Sequence, residues 1–225
     1  MSSILSEIFD RSIDFRSEPK HPNHGKKIEV IDFPCVHKRD QEPVNLILPH
    51  LKEGPWIAGG AALRWYQDQP VGENDIDIFC KDARQAQNVI NYIKSYGRFS
   101  TKFESENATT LSYYSGADTE YRQWTLQIIT RRYFGSLQEV IDNFDISVCQ
   151  IGTAGNDWLM GRHTAKDIRE RNLRMQMPLQ PDAAKRLVKY WTYGYRPVDG
   201  LLDSVQNNPN ANQMFEIDGD YNNAF

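Results

Sequence analysis

The chain has no apolar run approaching the roughly 20 residues that a membrane-spanning helix needs, and its first dozen residues, MSSILSEIFDRS, include acids and lack the basic-then-apolar pattern of a secretory signal. It has three cysteines, Cys35, Cys80 and Cys149, far apart and without a CxxC pair, so neither a disulfide framework nor a zinc ribbon is indicated. Buried thiols in a reducing cytoplasm are the expectation. Its five histidines (His21, His24, His37, His50, His163) show no metal-ligand spacing on any predicted helix. A positive net charge is also missing. At −4, the chain is no general binder of nucleic acid over its whole surface.

What is present is ordinary globular material: 225 residues, 40% hydrophobic, 12% aromatic and 25% charged, enough for one large domain or a domain with an appendage. The charge is uneven. Residues 162–196 hold nine Lys and Arg (Arg162, Lys166, Arg169, Arg171, Arg174, Lys185, Arg186, Lys189, Arg196) against three acids. Such a stretch meets phosphate or is simply the solvated face of two helices.

Residues 1–54 carry weak signals: a short amphipathic helix near Ile4–Phe9, a turn-rich SEPKHPNHGKK, a strand in KIEVIDF, and a short buried helix in VNLILPHL. Prolines 34, 43 and 49 interrupt anything longer. From Gly54 the pattern sharpens. PWIAGG is a brief strand ending on a glycine pair, and AALRWYQ has helix formers. IDIFC is a strand whose Asp75 and Asp77 share a face, because strand side chains alternate. DARQAQNVINYIKSYG carries a helical stripe (Ala86, Val89, Ile90, Ile93), with Asp82 as its cap and Gly97 as its stop. FSTKFES, ATTLSYY and WTLQIIT read as strands, the first two as a hairpin. SLQEVIDNF reads as a helix capped by Ser136, and DISVCQIG as a strand led by Asp145. The remainder is helical in character, HTAKDIRERN and PDAAKRLVKYWTYGY, before an asparagine-rich tail expected to be mobile.

Four features stand in a telling order: Gly59–Gly60 opening a helix; after a spacer of fourteen residues, the pair Asp75 and Asp77 on a strand; a later acid, Asp145; and the basic, aromatic helix RLVKYWTYGYR. Glycines at a helix start let backbone N–H groups approach a polyphosphate. Carboxylates at i and i+2 on a strand present hard oxygen ligands to one side, which suits Mg²⁺ or Mn²⁺ sharing its shell with substrate phosphate. A third carboxylate completes a two-metal site.

The stretch WIAGGAALRWYQDQPVGENDIDIF resembles the DNA polymerase β-like nucleotidyltransferase superfamily, in particular the head domain of tRNA nucleotidyltransferases and poly(A) polymerases. The specific match spans residues 55–79, with a looser one through Asp145 to Tyr195. The resemblance implies an α/β (α+β) fold: a small mixed sheet of the nucleotidyltransferase type, helices packed behind it and a helical C-terminal appendage. The corresponding domain division is an N-terminal extension (1–54) packed on the core, a catalytic core (55–160), a basic helical region (161–205) and a mobile tail (206–225). It also implies transfer of a nucleoside monophosphate from a nucleoside triphosphate to an acceptor hydroxyl, with pyrophosphate released. Gly59 and Gly60 would cradle phosphate, assisted by Arg64 or Lys189, and Asp75, Asp77 and Asp145 would ligate the metal ions. The sequence departs from the family pattern at Gln127, on WTLQIIT, where an acid is expected; Asp145 is the preferred third acid, ahead of Glu120 or Asp142. The basic stretch tilts the acceptor toward an RNA end. Tyr190, Trp191, Tyr193 and Tyr195 are expected in packing before base stacking.

Rival Asp-x-Asp chemistries fit less well. A glycosyltransferase would place alternating strands and helices ahead of the motif, and a haloacid-dehalogenase-type phosphatase a continuous apolar strand, where this chain has VGEN. The serious alternative is a degenerate nucleotidyltransferase fold that binds nucleotide or a partner without turnover. Nothing in the sequence speaks to oligomeric state.

Overall fold

The computed structural model describes residues 36–47, 53–96, 98–115, 122–154, 157–180 and 182–208. The expected Ile4–Phe9 helix, the KIEVIDF strand, the Gly97 stop, and the tail beyond residue 208 lie outside them, as does Cys35. The chain divides into two compact units. Among the described residues, one comprises 36–144 and Val148–Ala165; the other includes Asp145–Ser147 and 166–208.

The first unit is built on a seven-stranded sheet. Its strands are β1 (Trp56–Ala58), β2 (Asp75–Phe79), β3 (Phe99–Glu104), β4 (Ala108–Ser115), β5 (Arg122–Ile129), β6 (Ile151–Ala154) and β7 (Asp157–Met160), in the order β3-β4-β5-β2-β1-β6-β7. Only β2 and β5 run parallel; every other neighbouring pair is antiparallel, so the sheet is mixed. The helices are α1 (Gln41–Ile47), α2 (Gly60–Tyr66), α3 (Ala83–Ser95) and α4 (Leu137–Asp142).

Strand alternation sorts side chains onto two faces. On one, Ile57, Ile76, Ile78, Leu111, Tyr113, Trp124, Leu126 and Ile128 merge with Val44 and Ile47 of α1, Ala61 and Trp65 of α2, and Ala86, Ile90 and Ile93 of α3 into the main core. The α3 stripe falls where its helical period places it, and Asp82 accepts the Gln85 N–H at 2.7 Å as the N-cap. On the other face, Trp56, Ala58 and Phe79 pack with Phe134 and with Leu137, Val140 and Ile141 of α4 in a smaller apolar cluster. Helix α4 starts at Ser136, whose hydroxyl accepts the Glu139 N–H at 3.2 Å. Cys80 and Cys149 are buried free thiols, and burial pushes Cys80 up to about 12, out of reach of thiolate chemistry.

Asp40, just ahead of α1, is 1% exposed. Its Oδ2 accepts the indole N–H of Trp65 at 2.9 Å and the backbone N–H of Val71 at 2.8 Å; its Oδ1 accepts the indole N–H of Trp124 at 3.0 Å. One carboxylate thus joins α1, α2, the loop before β2, and β5. Three donors satisfy it where water cannot.

The second unit contains the last turns of α5 (Thr164–Glu170), the parallel pair β8 (Asn172–Leu173) and β9 (Arg196–Pro197), α6 (Ala183–Thr192) and α7 (Leu201–Gln206). Tyr195 is buried, with Arg171 over its ring and Tyr190 edge-on. Asp167, fully buried, accepts from Ser147 Oγ at 2.6 Å and Arg174 Nε at 3.2 Å.

Three local expectations need correction. DISVCQIG is not one strand from Asp145: an isolated bridge Ile146↔Met175 and a 3-10 turn over Ser147–Cys149 come first, and β6 begins at Ile151. The backbone there pairs with residues 174–176 instead, since Gln176 N–H donates to Asp145 O and Ser147 N–H to Arg174 O. Strand β7 went unread, although Gly155–Asn156 between it and β6 is a hairpin signal. The C-terminal part is not wholly helical, because β8 and β9 intervene, and α7 continues to Gln206, past the point where the sequence turns polar.

Two stability predictions follow from these packings. Asp40→Ala strands three buried donors at about 1–3 kcal/mol each, so urea denaturation is expected to show a loss of about 3 kcal/mol or more; a loss under about 1 kcal/mol would show that the donors find other acceptors. Gly59 has φ +82°, and a Cβ there would sit 2.9 Å from the Phe144 ring, whereas a Cβ on Gly60 would meet nothing within 4 Å. Gly59→Ala is therefore expected to cost about 2–4 kcal/mol in thermal melts while Gly60→Ala is tolerated; equal melting behaviour of the two variants would contradict this.

Candidate functional site

Strand β2 alternates half-exposed and buried: Asp75 and Asp77 are half-exposed, while Ile76 and Ile78 are fully buried on the opposite face. The aliphatic side chains lock the strand into the core, so the two carboxylates are held to one side of a rigid element.

The neighbouring strands set what stands beside them. Along parallel β5, Thr125 pairs with Asp75 and Gln127 with Asp77. Along β4, Ser112 pairs with Thr125 and Thr110 with Gln127. The face therefore carries two short polar rows, Asp75–Thr125–Ser112 and Asp77–Gln127–Thr110. On the other side, β1 pairs Trp56 with Phe79 and Ile57 with Ile78. Carried one step further, that antiparallel register sets Ala58 beside Asp77, and the chain leaves the sheet through Gly59–Gly60 at the carboxylate end of β2. Phe79, Phe134 and α4 close the opposite end of this face with apolar side chains.

The two glycines have different parts. Gly59 adopts a positive φ against the Phe144 ring, and its N–H donates to Ile151 O at 2.9 Å, so this amide is already committed to the sheet. Gly60, the first residue of α2, is half-exposed and faces open space where a side chain would be. Arg64 stands four residues on, on the same helix face as Gly60, and is half-exposed while Ala61, Ala62, Leu63, Trp65 and Tyr66 are buried.

Asp145, Arg186 and Lys189 belong to the second unit. Asp145 is 7% exposed. Arg186 Nη1 donates to its Oδ1 at 2.6 Å, and Nη2 donates to Asp182 Oδ1 at 2.5 Å. Asp145 Oδ2 is buried with no hydrogen-bond partner among the described residues. Burial pushes the Asp145 carboxyl above its usual range, the Arg186 guanidinium pulls it back, and Asp182 adds a further upward push. Arg186 is thus the ionic partner of Asp145. Lys189 lies in the last turn of α6, half-buried. Tyr190 and Tyr195 are buried in packing, as expected of the aromatic run. Among the exposed cations of the basic stretch are Arg162, Lys166, Arg169, Lys185 and Arg196.

Chemically, Asp75 and Asp77 offer two carboxylates, with hard anionic oxygens, on one face beside a glycine bend. Among the described residues, no group of three or more His, Cys, Asp and Glu side chains is placed to hold a metal ion. Two carboxylates on one face could supply part of the oxygen shell of a divalent ion such as Mg²⁺, which commonly takes other ligands from water and phosphate. Also among the described residues, no helix is long and apolar enough to cross a membrane. The polar rows on β4 and β5 escaped sequence reading because strand register decides them; the alternation of Thr125 and Gln127 with buried Trp124, Leu126 and Ile128 was the available signal.

Comparison with solved structures gives the fold. The Bacillus stearothermophilus CCA-adding enzyme in complex with CTP is similar over 76% of this chain and 44% of its own, at 16% identity and a TM-score of 0.53. A Thermotoga maritima CCA-adding enzyme complexed with tRNA matches 84% of this chain and 48% of its own, at 14% identity and a TM-score of 0.47. The chain therefore spans less than half the length of these enzymes. The fold is of the polymerase β-like nucleotidyltransferase head type, as the glycine pair and Asp-x-Asp strand implied. No curated protein matches the chain. A family model described as Gad2, Gabija anti-defense 2 family protein, matches residues 24–171. That is well over half of the sequence and takes in the whole of the Gly-Gly and Asp-x-Asp region: the chain belongs to the Gabija anti-defense 2 family.

Proposed function

We propose that this chain is a metal-dependent nucleotidyltransferase that acts against the Gabija defence. The observation that carries the proposal is the β1–β2 register, which sets the Gly59–Gly60 bend at the end of β2 where Asp75 and Asp77 share a half-exposed face. Asp75 and Asp77 would hold a Mg²⁺ or Mn²⁺ ion, and that ion, when bound, supplies neutralising charge to the triphosphate. Gly60 leaves room for phosphate to approach the start of α2, and Arg64, on the same helix face, and Lys189 are proposed to add positive charge. An acceptor hydroxyl then attacks the α-phosphorus in line. The new P–O bond forms from the acceptor oxygen, the bond to the β-phosphate bridging oxygen breaks, and pyrophosphate leaves.

Asp145 is the proposed third acid and would receive the acceptor's proton. Its Oδ2, which has no hydrogen-bond partner among the described residues, is the oxygen that would take the proton while Oδ1 stays on Arg186, and its raised pKa makes it more willing to hold that proton. The exposed cations of residues 162–196 favour an RNA end as the acceptor, and a cytoplasmic setting suits both substrate and free thiols. A second proposal has the same site hold nucleotide without turnover, as a binding regulator. It is favoured by Gln127 standing in register with Asp77 and by the Arg186 bond to Asp145.

The two are separated by measuring pyrophosphate release with the four labelled triphosphates, Mg²⁺ or Mn²⁺, and RNA, protein and small-molecule acceptors. Turnover is expected, with a drop of about 10²-fold or more in Asp75→Ala and Asp77→Ala at unchanged circular dichroism. Those variants should also lose the chain's activity in cells carrying Gabija. Absence of turnover in the parent chain, with triphosphate still bound, would select the regulator. Asp145→Asn is expected to cut turnover strongly and leave triphosphate binding mostly intact; parental rates would remove Asp145 from the site.

A further inference from the structure

We infer that Gln127 is the third polar group of the Asp75–Asp77 site and that it makes metal binding there conditional on the triphosphate. The inference rests on the proposed nucleotide site. Gln127 is half-exposed at the middle of β5, in register with Asp77 on the strand that runs parallel to β2. Its neighbours along the chain, Leu126 and Ile128, are fully buried on the opposite face, so strand alternation puts the carboxamide on the side occupied by the two carboxylates. Thr110 continues the same row on β4.

The chemistry follows from charge. Two carboxylates supply two negative charges to a divalent ion; a third at position 127 would supply one more within the same cluster. A carboxamide gives an uncharged oxygen and two N–H donors in its place. The sheet is therefore one charge short of what would hold a bare Mg²⁺ or Mn²⁺ firmly, and the polyphosphate provides the missing anionic oxygens. The amide N–H groups, unlike a carboxylate, also tolerate a phosphate beside them. Metal and nucleotide then enter as one unit, and the empty site is not blocked by ions alone.

The test is Mn²⁺ binding by the full chain, followed by loss of the free-ion EPR signal, without nucleotide and with a non-hydrolysable ATP analogue. The parent chain is expected to retain Mn²⁺ tightly only with the analogue. Gln127→Glu should raise affinity without nucleotide at least tenfold, and Gln127→Leu should weaken binding with the analogue several-fold. If Gln127→Glu does not fold, as judged by circular dichroism, Gln127→Asp carries the same expectation with a shorter side chain. Tight Mn²⁺ binding by the parent chain alone overturns the inference. So does unchanged affinity in Gln127→Glu when Asp77→Asn abolishes binding, and in that case the proposed nucleotide site still stands. Unchanged binding in both variants overturns the inference and the site together.

Discussion

Strand β2 is held by Ile76 and Ile78, which no water reaches, and this confinement is what fixes Asp75 and Asp77 to the other side. A slip of one residue in its register would send the aliphatic side chains to solvent and the carboxylates into the core. The cost of moving two carboxylates into an apolar core makes that slip prohibitive. Hydrophobic burial on one face thus enforces a concentration of negative charge on the other, and nothing else in the site can be placed until it has.

The surrounding elements reinforce this constraint from three directions. Antiparallel β1 brings the glycine bend to the carboxylate end, and Gly59 can make that bend because φ +82° is open to glycine and Phe144 leaves no room for a Cβ. Parallel β5 brings Thr125 and Gln127 alongside. Behind the sheet, Asp40 ties the helix face together through Trp65, Trp124 and the Val71 backbone. Asp40 is also a useful contrast: a carboxylate that is buried, fully engaged with donors and structural, where Asp75 and Asp77 are half-exposed. Burial, and not residue type, separates Asp40 from the two strand carboxylates.

How much of this could be read from the amino acids depends on the range of the interaction. The Asp75–Asp77 face, the α3 stripe, the Asp82 and Ser136 caps, and the strand–glycine–helix order around Gly59–Gly60 are local, with periods of two or 3.6 residues, and they were legible. The role of Asp40 was not, since its partners lie 25, 31 and 84 residues away. Nor was the ionic bond of Asp145 with Arg186, 41 residues apart. DISVCQIG misled because a run buried on every side alternates as poorly in a 3-10 turn as in a strand. Gln127 was noticed as a missing acid, but only the β2–β5 pairing shows that it stands beside Asp77.

The fold is shared with a CCA-adding enzyme, and the chain belongs to the Gabija anti-defense 2 family. The most direct measurement is anomalous diffraction from crystals grown with Mn²⁺ and a non-hydrolysable nucleoside triphosphate. The account predicts an anomalous peak bridged by the carboxylates of Asp75 and Asp77, with the triphosphate reaching from it toward Gly60. A peak at any other cluster, or triphosphate bound with those two side chains untouched, would contradict it.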